Sequence, residues 1–172
     1  MTVIAVKVYD DKIVMGADSM VSTDVKGYTS NYNDKKIHKI NNEFAFGGSG
    51  DRSNLSLFNY FARTHSPRES DELSMYEYMM EFQDWAENRG VSRQYLREDG
   101  KIYIIIVFKG KIFVCYSDCL WEKTDFATLG SGGSIAYTAL HLGCSVERAV
   151  QVAIELEHHC GGDIQIIEME RS

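Results

Sequence analysis

Hydrophobic and polar positions alternate over residues 2–9, with Thr2, Ile4, Val6 and Val8 on one face, and this period of two predicts a β-strand. Asp10-Asp11 is a turn signal, and residues 12–19 read as the antiparallel partner of a hairpin. Residues 20–35 are polar and predict a loop or an irregular pair of short strands. Residues 36–40 and 44–46 predict a second hairpin turning at Asn41-Asn42. The glycines of Gly47-Gly48-Ser49-Gly50-Asp51 then break the strand pattern. Leu55, Leu57, Phe58, Tyr60 and Phe61 follow at helical spacing.

A second helix is expected from Ser74 to about Asn88, with Tyr76, Met79, Met80, Phe82 and Trp85 inward as core packing rather than as a cofactor box. After a polar stretch over 89–100, the dense apolar runs 102–108 and 112–116 predict a third hairpin across Lys109-Gly110-Lys111, with a further short strand over 124–128. Gly130-Ser131-Gly132-Gly133-Ser134 opens a third helix through Leu140. Ser145 is placed to cap a fourth, which Gly161-Gly162 ends, and Ile164, Ile166 and Ile167 close the chain as a strand. Paired helices between groups of strands disfavour a doubly wound parallel sheet. The pattern predicts an α+β fold, a four-layer αββα sandwich of two antiparallel sheets between helix pairs, as a single domain over 1–172.

Composition narrows the function. A hydrophobic fraction of 44% and a single Pro in 172 residues predict a folded core. A net charge of −7 without a dense Lys/Arg run argues against nucleic acid as partner. The start lacks a signal core, and no apolar run approaches the roughly 20 residues of a membrane helix, so a cytoplasmic location is expected. Cys115, Cys119, Cys144 and Cys160 form no Cys-x-x-Cys pair and are expected as reduced thiols. His158-His159-Cys160 suggests a metal site, but adjacent side chains near a helix end diverge, and a solvated terminus is the simpler reading.

Candidate chemistry lies at the start. Removal of Met1 ahead of the small Thr2 would leave a hydroxyl and a free α-amine on one residue. An α-amine titrates near roughly pH 8, so it can take the hydroxyl proton without a histidine. Glycines at the mouths of the helices leave backbone N–H groups for an oxyanion or phosphate.

Five segments together resemble the threonine peptidases of the N-terminal-nucleophile hydrolases, the proteasome β subunits and HslV: Thr2-Val3-Ile4-Ala5-Val6, Gly16-Ala17-Asp18, Lys35-Lys36-Ile37-His38-Lys39-Ile40, Gly47-Gly48-Ser49-Gly50-Asp51 and Leu129-Gly130-Ser131-Gly132-Gly133. The likeness extends over nearly the whole chain and is weakest over 65–125. The Gly-Ser-Gly-Gly run is closer to HslV than to eukaryotic β subunits.

This resemblance implies Thr2 as nucleophile and base, Asp18 and Lys36 as an ion pair beside it, Gly47 or alternatively Gly48 as oxyanion donor, and Ser131 ordering the amine. Taken singly, each also has a plain structural reading: a strand-end cap for Asp18, a surface lysine for Lys36, a helix cap for Ser131. The resemblance further implies Val21, Ala45 and Ser49 around the substrate residue before the cut bond, favouring a hydrophobic side chain. It implies no required cofactor, and a monovalent or alkaline-earth cation on backbone carbonyls of Gly162, Gln165 and Glu168. If Cys160 matches the distal serine of the proteasome pattern, Glu157 stands where an aspartate is expected.

The implied function is a peptidase subunit acting on peptide or unfolded protein, assembled in homo-oligomeric rings and fed by an ATP-dependent unfoldase, since this chain shows no nucleotide site. A small-amide hydrolase without a chamber and a silent ring subunit are the alternatives.

Overall fold

A computed structural model describes residues 2–21, 35–116 and 119–171. The expected irregular segment over 20–35 falls mostly outside these residues. The strands are β1 (Ile4–Val8), β2 (Lys12–Ala17), β3 (Ile37–Lys39), β4 (Phe44–Gly50), β5 (Ile102–Phe108), β6 (Lys111–Tyr116), β7 (Cys119–Lys123), β8 (Phe126–Leu129) and β9 (Gln165–Glu170). The helices are α1 (Arg52–Ala62), α2 (Glu72–Glu87), α3 (Arg93–Arg97), α4 (Gly133–His141) and α5 (Val146–Leu156).

Two antiparallel sheets form, in the orders β8-β1-β2-β9 and β3-β4-β5-β6-β7. Their apolar faces divide into three cores. Ile4, Val6, Met15, Ile105 and Val107 fill the space between the sheets. Val3, Ala5, Ala136, Val150 and Ala153 seal the four-stranded sheet against α4 and α5. Phe44, Phe46, Phe58, Phe61 and Phe82 seal the five-stranded sheet against α1 and α2. The α+β four-layer arrangement expected from the sequence is the one observed. β1 is buried on both faces because it is central and sandwiched between a helix layer and a sheet.

Local chemistry explains the hairpins and caps. Lys109 and Gly110 both have positive φ between the paired Phe108 and Lys111, the geometry of a tight two-residue turn. Asn41 accepts from the backbone N–H groups of Glu43 and Phe44, each at 2.8 Å, which folds the β3–β4 connection back on itself. Asp51, Asp71, Ser92 and Ser145 cap α1, α2, α3 and α5 through side-chain oxygens.

The differences from expectation have local causes. β4 runs on through Gly47, Gly48 and Gly50 rather than breaking there. A Cβ on Gly47 would crowd Ile37 and Ile4, and one on Gly48 would collide with Leu55, so close packing on both faces selects glycine inside a strand. The inward stripe of α2 is Met75, Tyr78, Met79, Phe82 and Ala86, and Tyr76 faces out. β7 and α3 were not expected. The one is a short edge strand with alternate residues exposed, the other a five-residue turn of helix.

Candidate active site

The site forms where the start of β1, the end of β2, the approach to β3 and the end of β4 meet. β3 pairs with β4 only from Ala45 to Gly47, so the far end of β4 runs past it. A cleft of about 410 Å³ opens there, with Thr2, Val21, Lys36, Gly48 and Ser49 in its wall.

Thr2 is held by its backbone. Its nitrogen donates to Ser131 Oγ at 3.3 Å, and its carbonyl accepts from the Gly132 N–H at 3.2 Å. Gly130 crosses directly over the Thr2 carbonyl with φ +89°, where a Cβ would overlap that carbonyl, so only glycine fits. Ser131 does not cap α4. The N-cap is Gly132, without a side-chain bond, and the Ser131 hydroxyl turns to Thr2 instead.

Asp18 follows β2 and is fully buried. Its Oδ1 accepts from Lys36 Nζ at 2.7 Å and from the Val3 N–H at 2.9 Å, and its Oδ2 from the Gly161 N–H at 3.1 Å. A buried carboxylate is tolerable only with such partners. Lys36, also buried, is fixed at three points: the ammonium on Asp18, the N–H on Gln165 Oε1 at 3.1 Å, and the carbonyl accepting from the Gly48 N–H at 3.2 Å. Asp18 and Lys36 are therefore neither a strand cap nor a surface lysine.

Several expectations are corrected. Ala45 is fully buried in the core between the sheets, because it alternates away from the cleft along β4, and cannot line a substrate pocket. Val21 and Ser49 do line the cleft. Of the two glycines, Gly48 lies in the cleft wall, whereas Gly47 faces Ile37 and Ile4.

The carbonyls of Gly162, Gln165 and Glu168 do not form a cation site. Gln165 and Glu168 are three residues apart on β9, roughly 10 Å along a strand, with carbonyls on opposite edges. The Glu168 carbonyl also accepts Lys39 Nζ at 3.0 Å. Among the described residues no cluster of His, Cys, Asp and Glu could hold a metal.

Cys160 Sγ lies 3.8 Å from Ser131 Oγ, which joins it to the Thr2 end of the site. Burial first, and then the nearby Asp18 carboxylate, push its thiol above the usual range. Glu157 points elsewhere: its Oε1 is 2.9 Å from His159 Nδ1, and hydrogen bonds from His159 hold its carboxyl below the usual range. His159 thus serves that pair rather than a metal.

Sequence reasoning missed three supports. Gly161 was legible only as a helix terminator, yet its N–H binds Asp18 and its carbonyl accepts from the N–H groups of Ser19 and Met20. Gln165 contributes its side-chain amide rather than its carbonyl, and Gly130 carries the positive φ over Thr2. Only Gly130 had a signal, as the first glycine of the run before α4.

Solved structures share this arrangement of layers. A Thiobacillus denitrificans protein designated BPH superposes with a TM-score of 0.80 at 20% identity, over 99% of this chain and 98% of that one. The same protein in complex with epoxomicin gives 0.78 at 20% identity, over 99% of each chain. Eukaryotic HslV from Trypanosoma brucei gives 0.69 at 16% identity, over 98% of this chain and 99% of that one.

The fold is that of HslV.

These likenesses bear out the fold implied by the five sequence segments, over 98–99% of the chain. Neither the family models nor the curated proteins give a match to it. Among the described residues no helix is long and apolar enough to cross a membrane.

Proposed function

We propose that this chain is a threonine peptidase subunit that cuts peptide bonds through an acyl-enzyme on Thr2 once Met1 has been removed. The carrying observation is the Thr2 nitrogen 3.3 Å from Ser131 Oγ at the wall of a cleft, with the Lys36–Asp18 pair buried beside it. With Met1 gone, that nitrogen becomes a free amine on the residue that bears the hydroxyl.

In the proposed reaction, Thr2 Oγ attacks the substrate carbonyl carbon while its proton passes to the α-amine. The ammonium of Lys36, fixed by Asp18 in the wall of the cleft that Thr2 also lines, favours loss of that proton. A backbone N–H at the end of β4 takes the oxyanion, and such a donor typically lowers the barrier by roughly 3 kcal/mol. Gly48 lies in the cleft wall, but its N–H donates to the Lys36 carbonyl at 3.2 Å and would have to exchange that bond for one to the oxyanion. The α-ammonium then protonates the leaving nitrogen, the C–N bond breaks, and an ester on Thr2 remains. The same amine deprotonates a water that hydrolyses the ester and frees Thr2.

Support for a peptidase over a general amide hydrolase comes from the fold shared with HslV and from the epoxomicin complex of the Thiobacillus BPH. The same likeness supports homo-oligomeric rings, and the reading adds a cytoplasmic location, expected from the sequence, and unfolded protein supplied by a separate ATP-driven unfoldase. No cofactor is assigned.

Hydrolysis of fluorogenic peptides by the native chain, Thr2→Ser and Thr2→Ala tests this proposal. Native protein and Thr2→Ser are expected to turn over and Thr2→Ala to be inert. Full turnover by Thr2→Ala would overturn it. Native mass distinguishes rings from a monomeric or dimeric amidase.

A further inference from the structure

Thr2 is joined to Met1 through the nitrogen that donates to Ser131 Oγ at 3.3 Å. The atoms that follow are fixed as well. The Thr2 carbonyl accepts from the Gly132 N–H at 3.2 Å with Gly130 packed over it, and the Val3 N–H donates to Asp18 Oδ1 at 2.9 Å. Val3 and Ile4 are fully buried, and Ile4 is paired with Ala17 of β2 on one side and Leu129 of β8 on the other. On its Thr2 side, the Met1–Thr2 bond therefore has no slack.

An exopeptidase must enclose the terminal residue and bring its hydrolytic groups to within roughly 3–3.5 Å of the carbonyl it attacks. In the folded chain the Thr2 end of the bond cannot be drawn out without parting β1 from both neighbouring strands, and β1 is central to its sheet. Such an opening lies towards the global end of the range of local unfolding energies. On the nascent chain the bond is free. Ser131 lies 129 positions after Thr2, so at about 5–20 residues per second synthesis leaves the start unclamped for roughly 6–26 s.

We propose that a methionine-specific aminopeptidase removes Met1 from the nascent chain and that folding closes this step, so that a chain folded with Met1 in place stays blocked. Water adds across the Met1–Thr2 amide: its oxygen bonds to the Met1 carbonyl carbon, the C–N bond breaks, and the Thr2 nitrogen takes a proton and leaves as the free amine. The order of events rests on the geometry around Thr2, and its consequence, a subunit locked off, rests on the peptidase reading above.

The test is synthesis of the full chain in a reconstituted translation system that contains deformylase and lacks methionine aminopeptidase. The purified aminopeptidase is added either at the start of synthesis or after the chain has folded, and intact mass follows the loss of methionine. Met1 is expected to be lost in the first case. In the second it should leave more slowly than from the Met1–Val6 hexapeptide, by at least about a hundredfold, because cleavage waits on a rare opening.

Trimming of the folded chain at the hexapeptide's rate overturns the proposal. So does loss of Met1 with no aminopeptidase added, or retention of Met1 when the enzyme is present throughout synthesis. The mass readout does not depend on peptide hydrolysis. Trimming in the expected order that yields a chain without peptidase activity would uphold the order and overturn the peptidase reading instead.

Discussion

Replacing Asp18 with Asn perturbs the buried centre of the site in a way that can be worked through bond by bond. Asp18 Oδ1 accepts from Lys36 Nζ and the Val3 N–H, and Oδ2 from the Gly161 N–H. An asparagine offers one acceptor oxygen and one NH2 group, so one of the two sides faces donor against donor. Removing one member of a buried ion pair costs about 3–5 kcal/mol, which already includes the cost of the charge left behind. For a domain of this size 1 kcal/mol corresponds to roughly 2–4 °C, so about 4 kcal/mol lowers the midpoint by roughly 8–16 °C.

Lys36→Met leaves the carboxylate with two backbone donors and should cost less. The double variant Asp18→Asn/Lys36→Met removes both charges and should be more stable than the sum of the singles implies, by about 1–3 kcal/mol. Urea and thermal unfolding of the four proteins provide the cycle. Single effects that add to within about 0.5 kcal/mol would refute the coupling of these two side chains.

Gln165→Ala removes the acceptor for the Lys36 N–H, and turnover should fall about tenfold, the 1.4 kcal/mol of one ordinary hydrogen bond, with KM little changed. Gln165→Glu, which keeps an acceptor oxygen, should fall between, and equal rates for all three would exclude a positioning role. Gly130→Ala forces the chain off the Thr2 carbonyl, and peptide turnover should drop by ~100-fold, as expected for a nucleophile displaced by about 1 Å. Burial raises the Cys115 thiol from 9.0 to about 12. An unfolded cysteine loses its proton first, so stability should fall as pH rises from 9 towards 12, and urea midpoints should fall less steeply in Cys115→Ala.

Much of the sandwich was legible because its strands and helices announce themselves locally. The alternation over residues 2–9, the run 102–108 and the capping residue Ser145 need no knowledge of the rest of the chain. What was illegible depends on distant neighbours. Gly47 and Gly48 belong to a strand only because Ile4, Ile37 and Leu55 press on them, and glycine's weak strand preference hides this. The inward face of α2 keeps Met79 and Phe82 but takes Met75, Tyr78 and Ala86 in place of Tyr76, Met80 and Trp85, since only packing decides the margins of an amphipathic pattern.

At the site, Asp18, Lys36 and Ser131 converge on the first residues of the chain as the resemblance implied, although each had a plausible structural role when read alone. The set of carbonyls inferred by register took no account of Gln165 and Glu168 lying three residues apart on one strand, with carbonyls on opposite edges.

The measurement that bears most directly on the central claim is the intact mass of the purified protein after exposure to epoxomicin, with peptide mapping of the adduct. The account predicts a single increment, mapped to Thr2, on chains that have lost Met1, and no increment on Met1-retaining chains or on Thr2→Ala. An adduct on chains that keep Met1, or one mapped to any other residue, would contradict it.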